Sequence, residues 1–358
     1  MIKCNTYSIR HGYDKKKCLV HARCCCAPDF MIATAQYLDV KGSDLFAGIL
    51  TSVSYDDGKT WTEFSKQDGL APIKEGDITT VCCDGTPMYH KATGKIIALG
   101  HVALYNDDGS SCDKNGRKPW YSVFDNETMQ FSKPKFIDMP SGIDDSGNGC
   151  GQSFELENGD LLIPVYYLLP NNKHASMVIK CSFDGESIVL LEAGTPLVMD
   201  VARGLYEPSV IGHNGVYYMT MRNDECGLVA KSTDGLNYTN LQLWKWDDYS
   251  IVQNYNTQQH FMQLGDELYL VYTRRGAKND HVFRHRAPLF AAKVKNMRLE
   301  KASEFVVVPE QGARLGNFGV TPYKENSAIV MAAEWMQPEG CEKYGSDNNI
   351  FVAKVSKE

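Results

Sequence analysis

Carboxylates, arginines and a tyrosine stand at the ends of strand-like segments along this chain. Glu207 opens Glu207-Pro208-Ser209, and the strand that follows ends in Met221-Arg222-Asn223. Arg23 closes Val20-His21-Ala22-Arg23, ahead of Pro28 and a strand from Phe30, with Arg10 as a rival for the same place. Asp44 lies in Gly42-Ser43-Asp44. Arg274 and Arg275 follow one strand, and Arg284 and Arg286 precede the next. Tyr344 sits in Glu342-Lys343-Tyr344-Gly345-Ser346-Asp347, just before the last strand. Planar guanidinium groups bind carboxylates by paired, charge-assisted hydrogen bonds and stay ionised at any working pH. Carboxylates within reach of them can exchange protons with a bound substrate. Each residue alone would serve equally as a solvated rim charge or an edge aromatic. Together they point to acid–base chemistry on an acidic ligand. The polar loop 254–260 suits sugar hydroxyls, and Trp244 and Trp246 suit stacking on a ring face.

Other chemistries leave no trace. His21, His101, His260, His281 and His285 show no zinc-ligand spacing on one element, and there is neither a phosphate-binding glycine loop nor a G-x-S-x-G elbow. No metal or cofactor is expected. The net charge of −7, spread along 358 residues, argues against nucleic acid. No run approaches the ~20 apolar residues of a membrane span, and the first residues lack a signal-peptide core. Twelve cysteines, including Cys24-Cys25-Cys26 and Cys82-Cys83, form neither a disulfide framework nor C-x-x-C pairs. Reduced thiols in a cytoplasmic protein are expected, unless a leader has been removed.

The elements that must position these residues are strands. Short apolar runs introduced by Gly, Asp or Asn begin at Asp29, Gly94, Gly159, Gly215, Asp266 and Asn326, spaced 65, 65, 56, 51 and 60 residues apart. Further short strands lie between them, and no amphipathic helix is evident. Six cycles with several strands each predict an all-β, six-bladed propeller of four-stranded antiparallel blades, one domain over 1–358. A β-sandwich or a pair of smaller β domains is the alternative.

The stretch Ser54-Tyr55-Asp56-Asp57-Gly58-Lys59-Thr60-Trp61 is a tight turn with an aromatic anchor. Partial copies follow at Ser182-Phe183-Asp184-Gly185, Ser232-Thr233-Asp234-Gly235 and, more faintly, Ser122 to Phe131. This pattern resembles the Asp box of sialidase-type propellers, and the order of the polar residues resembles that family over nearly the whole chain. The resemblance implies an exo-acting, retaining glycosidase that releases a terminal sialic acid from an acidic oligosaccharide or glycoconjugate. It makes Tyr344 the nucleophile, Glu207 its activator and Asp44 the general acid/base. Arg23, Arg222 and Arg286 become the carboxylate clamp, with Arg274 and Arg284 as runners-up. The letters depart from the family at Arg23, which Cys-Cys-Cys follows, and at Tyr344, which Gly follows. The glutamate that supports the first arginine is also missing, and Glu334 is a substitute for it. Two other readings stay open: a hydrolase or lyase for uronic-acid or rhamnose-containing saccharides with a His or Tyr base, and a non-catalytic carbohydrate-binding propeller.

Overall fold

The computed structural model describes residues 1–42, 44–112 and 116–358. The six apolar runs are the second strands of six antiparallel sheets: Met31–Asp39, Lys95–Asn106, Leu161–Leu168, Val216–Arg222, Glu267–Tyr272 and Ser327–Ala333. We number these sheets as blades 1 to 6 in that order. Successive side chains of a strand point to opposite faces, and here both faces are covered. Ile96 enters the apolar cluster shared with blade 1, whereas Ile97 enters the one shared with blade 3. Ala328 and Val330 pack toward blade 5, Ile329 and Met331 toward blade 1. Six such clusters lie between neighbouring blades. A ring of radial sheets needs its middle strands apolar on both faces, which is why these runs do not alternate. The molecule is the all-β, six-bladed propeller that the spacing predicted.

The first strands line the axis: Lys17–Cys26, Ile78–His90, Tyr206–His213, His260–Leu264 and Phe318–Pro322, with blade 3 contributing the short pieces Ser146–Gly147 and Phe154–Glu155. They are tied to one another by side chains. The Gln152 amide donates to Phe261 O (2.9 Å) and accepts from Phe261 N–H (2.8 Å), and Ser209 Oγ lies 2.9 Å from His260 Nδ1. The strand Ile2–Arg10 is the outermost of blade 6. It runs antiparallel to Ile350–Lys357, Ile2 opposite Lys357 and Tyr7 opposite Val352.

The turn at Ser54 is held by its own side chains. Ser54 Oγ donates to Asp56 Oδ1 (2.9 Å) and accepts from Gly58 N–H (2.8 Å), while Trp61 Nε1 donates to Gly58 O (3.0 Å). Gly58 has φ 76°, which a side chain would resist. Ser232 and Asp234 repeat the arrangement, and Asp125 and Asp184 each accept two following backbone N–H groups. All four turns join the third strand of a blade to its fourth. They therefore lie at the end of the blade away from the connections between second and third strands.

Candidate active site

Three of the axial strands break register, between Val20 and Arg23, between Cys83 and Thr86, and between Tyr206 and Ser209. At each break a non-glycine residue takes a positive φ: His21 at 58°, Asp84 at 56° and Glu207 at 49°. In blade 3, Cys150 at 62° lies between the two short axial pieces. A bulge takes a side chain out of the strand's alternation and re-aims it. The left-handed conformation costs about 1–2 kcal/mol for such a residue, and costs of this kind gather at functional sites.

Asp84 is the centre of one half of the site. Its Oδ1 accepts from Arg23 Nη2 at 2.8 Å and lies 3.2 Å from His21 Nδ1, and its Oδ2 is 3.9 Å from His101 Nε2. Burial opposes ionisation of Asp84, but His21, Arg23 and His101 outweigh it and hold the carboxyl well below the usual range. Burial in turn pushes the His101 imidazole down to about 4, against the pull of Asp84. Arg23 is fully buried and also donates through Nε to Phe318 O (3.3 Å) and through Nη2 to Gln258 Oε1 (3.4 Å).

Glu207 organises the other half. Arg222 Nη1 lies 2.9 Å from its Oε2, and the Arg222 guanidinium lies 4.4 Å from the centre of the Tyr206 ring. Burial raises the Glu207 carboxyl, and Arg222 only partly offsets it. Arg286 comes in from the connection between the second and third strands of blade 5. It donates through Nε to Asn256 O (2.8 Å) and through Nη2 to Asn256 Oδ1 (3.1 Å). Burial, then the neighbouring Arg222 and Arg314, push it down to about 9. No carboxylate among the described residues pairs with it. The two halves meet at Gly149-Cys150-Gly151. A β-carbon on Gly149 would lie 1.8 Å from His101 Nδ1, and one on Gly151 would lie 2.9 Å from Pro208 O. Cys150 thus stands between Asp84 and Glu207, and burial pushes its thiol up.

The structure brings Arg222, Arg286 and Glu207 together and places Arg23 at the same axis, committed to Asp84. Asp84, not Glu334, supports Arg23. Glu334 accepts instead from Asp347 N–H and Asn349 N–H at 3.0 and 2.8 Å. Asp44 is exposed on the loop before the third strand of blade 1, with φ 52°. Tyr344 is not brought to Glu207. It ends a 3-10 turn, Cys341–Tyr344, between the second and third strands of blade 6, and is 46% exposed with its ring 4.5 Å from His281. Arg274 is taken by Glu304, through Nε at 2.8 Å and Nη2 at 2.7 Å, and lies over Phe290. Arg284 is exposed on the rim, and Arg10 is on the outermost strand of blade 6. Trp244 and Trp246 are buried in the cluster between blades 4 and 5, where Trp244 Nε1 donates to Thr220 Oγ1, so they offer no ring to a sugar.

Sequence reasoning missed Asp84, His101, Cys150 and Tyr166. The available signal was a lone carboxylate inside the apolar segment Val81-Cys82-Cys83-Asp84. Tyr166, at the end of the second strand of blade 3, accepts from Arg117 Nη1 (3.3 Å) and is 3% exposed. Burial pushes its phenol up, and Glu207 adds to that. The loop 254–260 is buried at the axis rather than open to solvent. Asn254 and Asn148 have both side-chain polar atoms buried without a described protein partner, as do Gln258 Nε2 and Gln259 Nε2. Buried amides left unpaired are costly, and hydroxyls of a bound ligand would satisfy them.

A propeller with strained, charged side chains on its axial strands is the class of protein defined so far. Its shape recurs among solved structures at low identity. A protein of unknown function from Dyadobacter fermentans DSM 18053 matches 100% of this chain and 99% of its own at TM-score 0.74 and 14% identity. The Hadza microbial sialidase matches 97% of this chain and 68% of its own at TM-score 0.67 and 14% identity. Trypanosoma rangeli sialidase matches 95% of this chain at TM-score 0.64 and 16% identity, and this chain spans 55% of that one's length. The fold is that of a divergent sialidase-like propeller. No protein-family model matches the chain, and no curated protein matches its sequence.

Proposed function

We propose that this propeller binds the carboxylate of an acidic sugar, a terminal sialic acid in the first instance, and hydrolyses the glycosidic bond beside it. One observation carries the reading: Arg286 is buried beside Arg222 and near Glu207, and no described carboxylate forms an ion pair with it. A buried guanidinium without a counter-charge is stabilised by an anion placed between it and its neighbour. The family's tyrosine chemistry then needs a phenol near Glu207, and Tyr166 fits that place better than the exposed Tyr344. In this mechanism Glu207 takes the phenol proton as the Tyr166 oxygen bonds to the anomeric carbon. The bond to the leaving oxygen breaks, and the Asp44 carboxyl protonates that oxygen. Water then attacks the anomeric carbon, passes a proton to Asp44 and frees the phenol, which recovers its proton from Glu207. A neutral phenol avoids the charge repulsion that a carboxylate nucleophile would meet at the substrate carboxylate, and tyrosine is the known exception to the two-carboxylate rule.

The test is release of 4-methylumbelliferone from its sialoside, glucuronide and glucoside. Turnover of an acidic glycoside and not of the glucoside is expected, with Arg286→Gln raising KM. No release from any acidic glycoside rejects the reading. One observation favours a second one: His101 is a neutral imidazole at the axis and matches the base of a uronide lyase. An ultraviolet-absorbing unsaturated product from a uronide polymer would select it.

A further inference from the structure

Arg286 is not the only guanidinium at this site without a counter-charge. Arg314, on the segment entering blade 6, is 7% exposed and lies between two aromatic rings, 4.4 Å from the centre of Trp335 and 5.2 Å from that of Phe283. Its Nη2 donates to Gln337 Oε1 (3.2 Å), its Nε is buried with no partner among the described residues, and none of them accepts from Nη1. No described carboxylate lies within ion-pairing distance of it. The two arginines are neighbours through the backbone, since Leu315 N–H donates to Arg286 O (2.6 Å) and a β-carbon on Gly316 would touch the Arg286 side chain at 2.8 Å. Arg284, exposed, lies two residues before Arg286 on the same rim. Arg222 already occupies Glu207, and among the described residues Arg286, Arg284 and Arg314 have no ion-pair partner.

Asp44 fixes the direction of this second cluster. It is the carboxylate that acts on Arg314, opposing the effect of burial, while Arg284 repels it. The loop before Asp44 is fastened to the same residues. Gln337 Nε2 donates to Val40 O and Gly42 O, each at 2.8 Å, and Gln337 Oε1 accepts from Trp335 Nε1 (2.9 Å) as well as from Arg314. An acid that protonates the leaving oxygen stands on the leaving side of the scissile bond, so Arg314 stands there too.

We propose that Arg314, assisted by Arg284, is a second anion-binding subsite on the leaving side, and that the preferred ligand carries a further negative charge on the sugar next to the terminal acidic one. The proposal rests on the reading above for which side is which. Phe283 at 43% and Tyr344 at 46% exposure supply apolar faces at the rim for that second ring. A carboxylate and a sulfate would both satisfy the site.

The test is calorimetric binding of three probes to the whole protein: sialyllactose, α2,8-disialyllactose, and sialyllactose 6-sulfated on galactose. Wild type should bind at least one doubly charged probe roughly tenfold or more tightly than sialyllactose. Which probe gains says whether carboxylate or sulfate is taken. Arg314→Gln should abolish that preference while leaving sialyllactose affinity within about threefold. Arg284→Gln, at an exposed position, should reduce the preference without touching the fold. Equal affinity of wild type for all three probes overturns the proposal, as does an Arg314→Gln protein of unchanged Tm that weakens all probes alike. Preference through Arg314 with no cleavage would leave the subsite standing and remove the hydrolase reading. Cleavage without preference would do the reverse.

Discussion

Glu207 is pulled two ways: burial raises its carboxyl, and Arg222 at 2.9 Å opposes that. As the base that takes a phenol proton it acts only when ionised. Turnover should therefore rise with pH through a pKa above the ordinary glutamate value of ~4.3. Glu207→Gln should remove that acid limb along with most of the rate. Tyr166→Phe should fold, bind and fail to turn over, losing on the order of a thousandfold, whereas Tyr344→Phe should keep near-native kcat. Loss at Tyr344 and not at Tyr166 would reverse the assignment. Glu207 and Arg222 were legible because they flank a recognisable second strand, and Arg286 because it directly precedes a third. Tyr344 was picked out by its place just before the last strand, and sequence order alone does not say that it lies on an exposed 3-10 turn. Asp84 left only a weak signal, a lone carboxylate in an apolar segment that also reads as a turn with Gly85, and only the bulge makes it a buried ion-pair partner of Arg23.

Second strands were legible and axial strands were not, for one physical reason. A middle strand is apolar on both faces, so it stands out as a run, while three axial strands are bulged and carry His, Arg, Asp or Glu among their apolar residues. The inter-blade clusters should therefore carry the stability. Ile329, fully buried between blades 6 and 1, should cost about 2–5 kcal/mol as Ile329→Ala. Val189→Ala, at a position 55% exposed, should stay within about 0.5 kcal/mol in urea titrations. Two buried histidines near the axis, His101 on the second strand of blade 2 and His260 on the axial strand of blade 5, make the fold sensitive to acid. Burial pushes His101 down to about 4 and His260 down to about 3. A histidine depressed in the folded state binds its proton more readily when unfolded. The stability it contributes is thus complete above the unfolded value of ~6.5 and is lost as pH falls toward the folded one. Each pKa unit is worth ~1.4 kcal/mol, so His101 alone represents on the order of 3 kcal/mol. The melting temperature should fall steeply between pH 6.5 and 4, and His101→Gln should flatten that slope. A melting temperature independent of pH across that interval would mean that these imidazoles are hydrated.

At the scale of the whole ring, the chain closes on itself by a strand rather than by a covalent link. Ile2–Arg10 pairs with Ile350–Lys357, and its side chains reach both neighbouring blades. Thr6 Oγ1 donates to Val307 O of blade 5 (2.6 Å), and Tyr7 Oη donates to Gly58 O in the blade 1 turn (2.5 Å). The twelve cysteines, all free, add no cross-link. Blade 6 therefore holds its place between blades 5 and 1 partly through this one strand. Blade 6 also carries Arg314 and Phe318 O, the acceptor for Arg23. Removing residues 1–10 should expose the edge of Ile350–Lys357, an unpaired row of N–H and C=O groups that templates association. The expected outcome is a lower melting temperature and concentration-dependent aggregation. The subtler change Thr6→Ala should leave the association state of the wild type unchanged and cost only about 1 kcal/mol. The two variants separate closure from contact. If the shortened chain melts at the wild-type temperature and stays soluble, blade 6 is held by its apolar faces alone. If instead it loses both stability and binding of acidic sugars, the axis and the closing strand act as one unit. The N-terminal strand would then be a condition for the site, although it lies at the far edge of its blade.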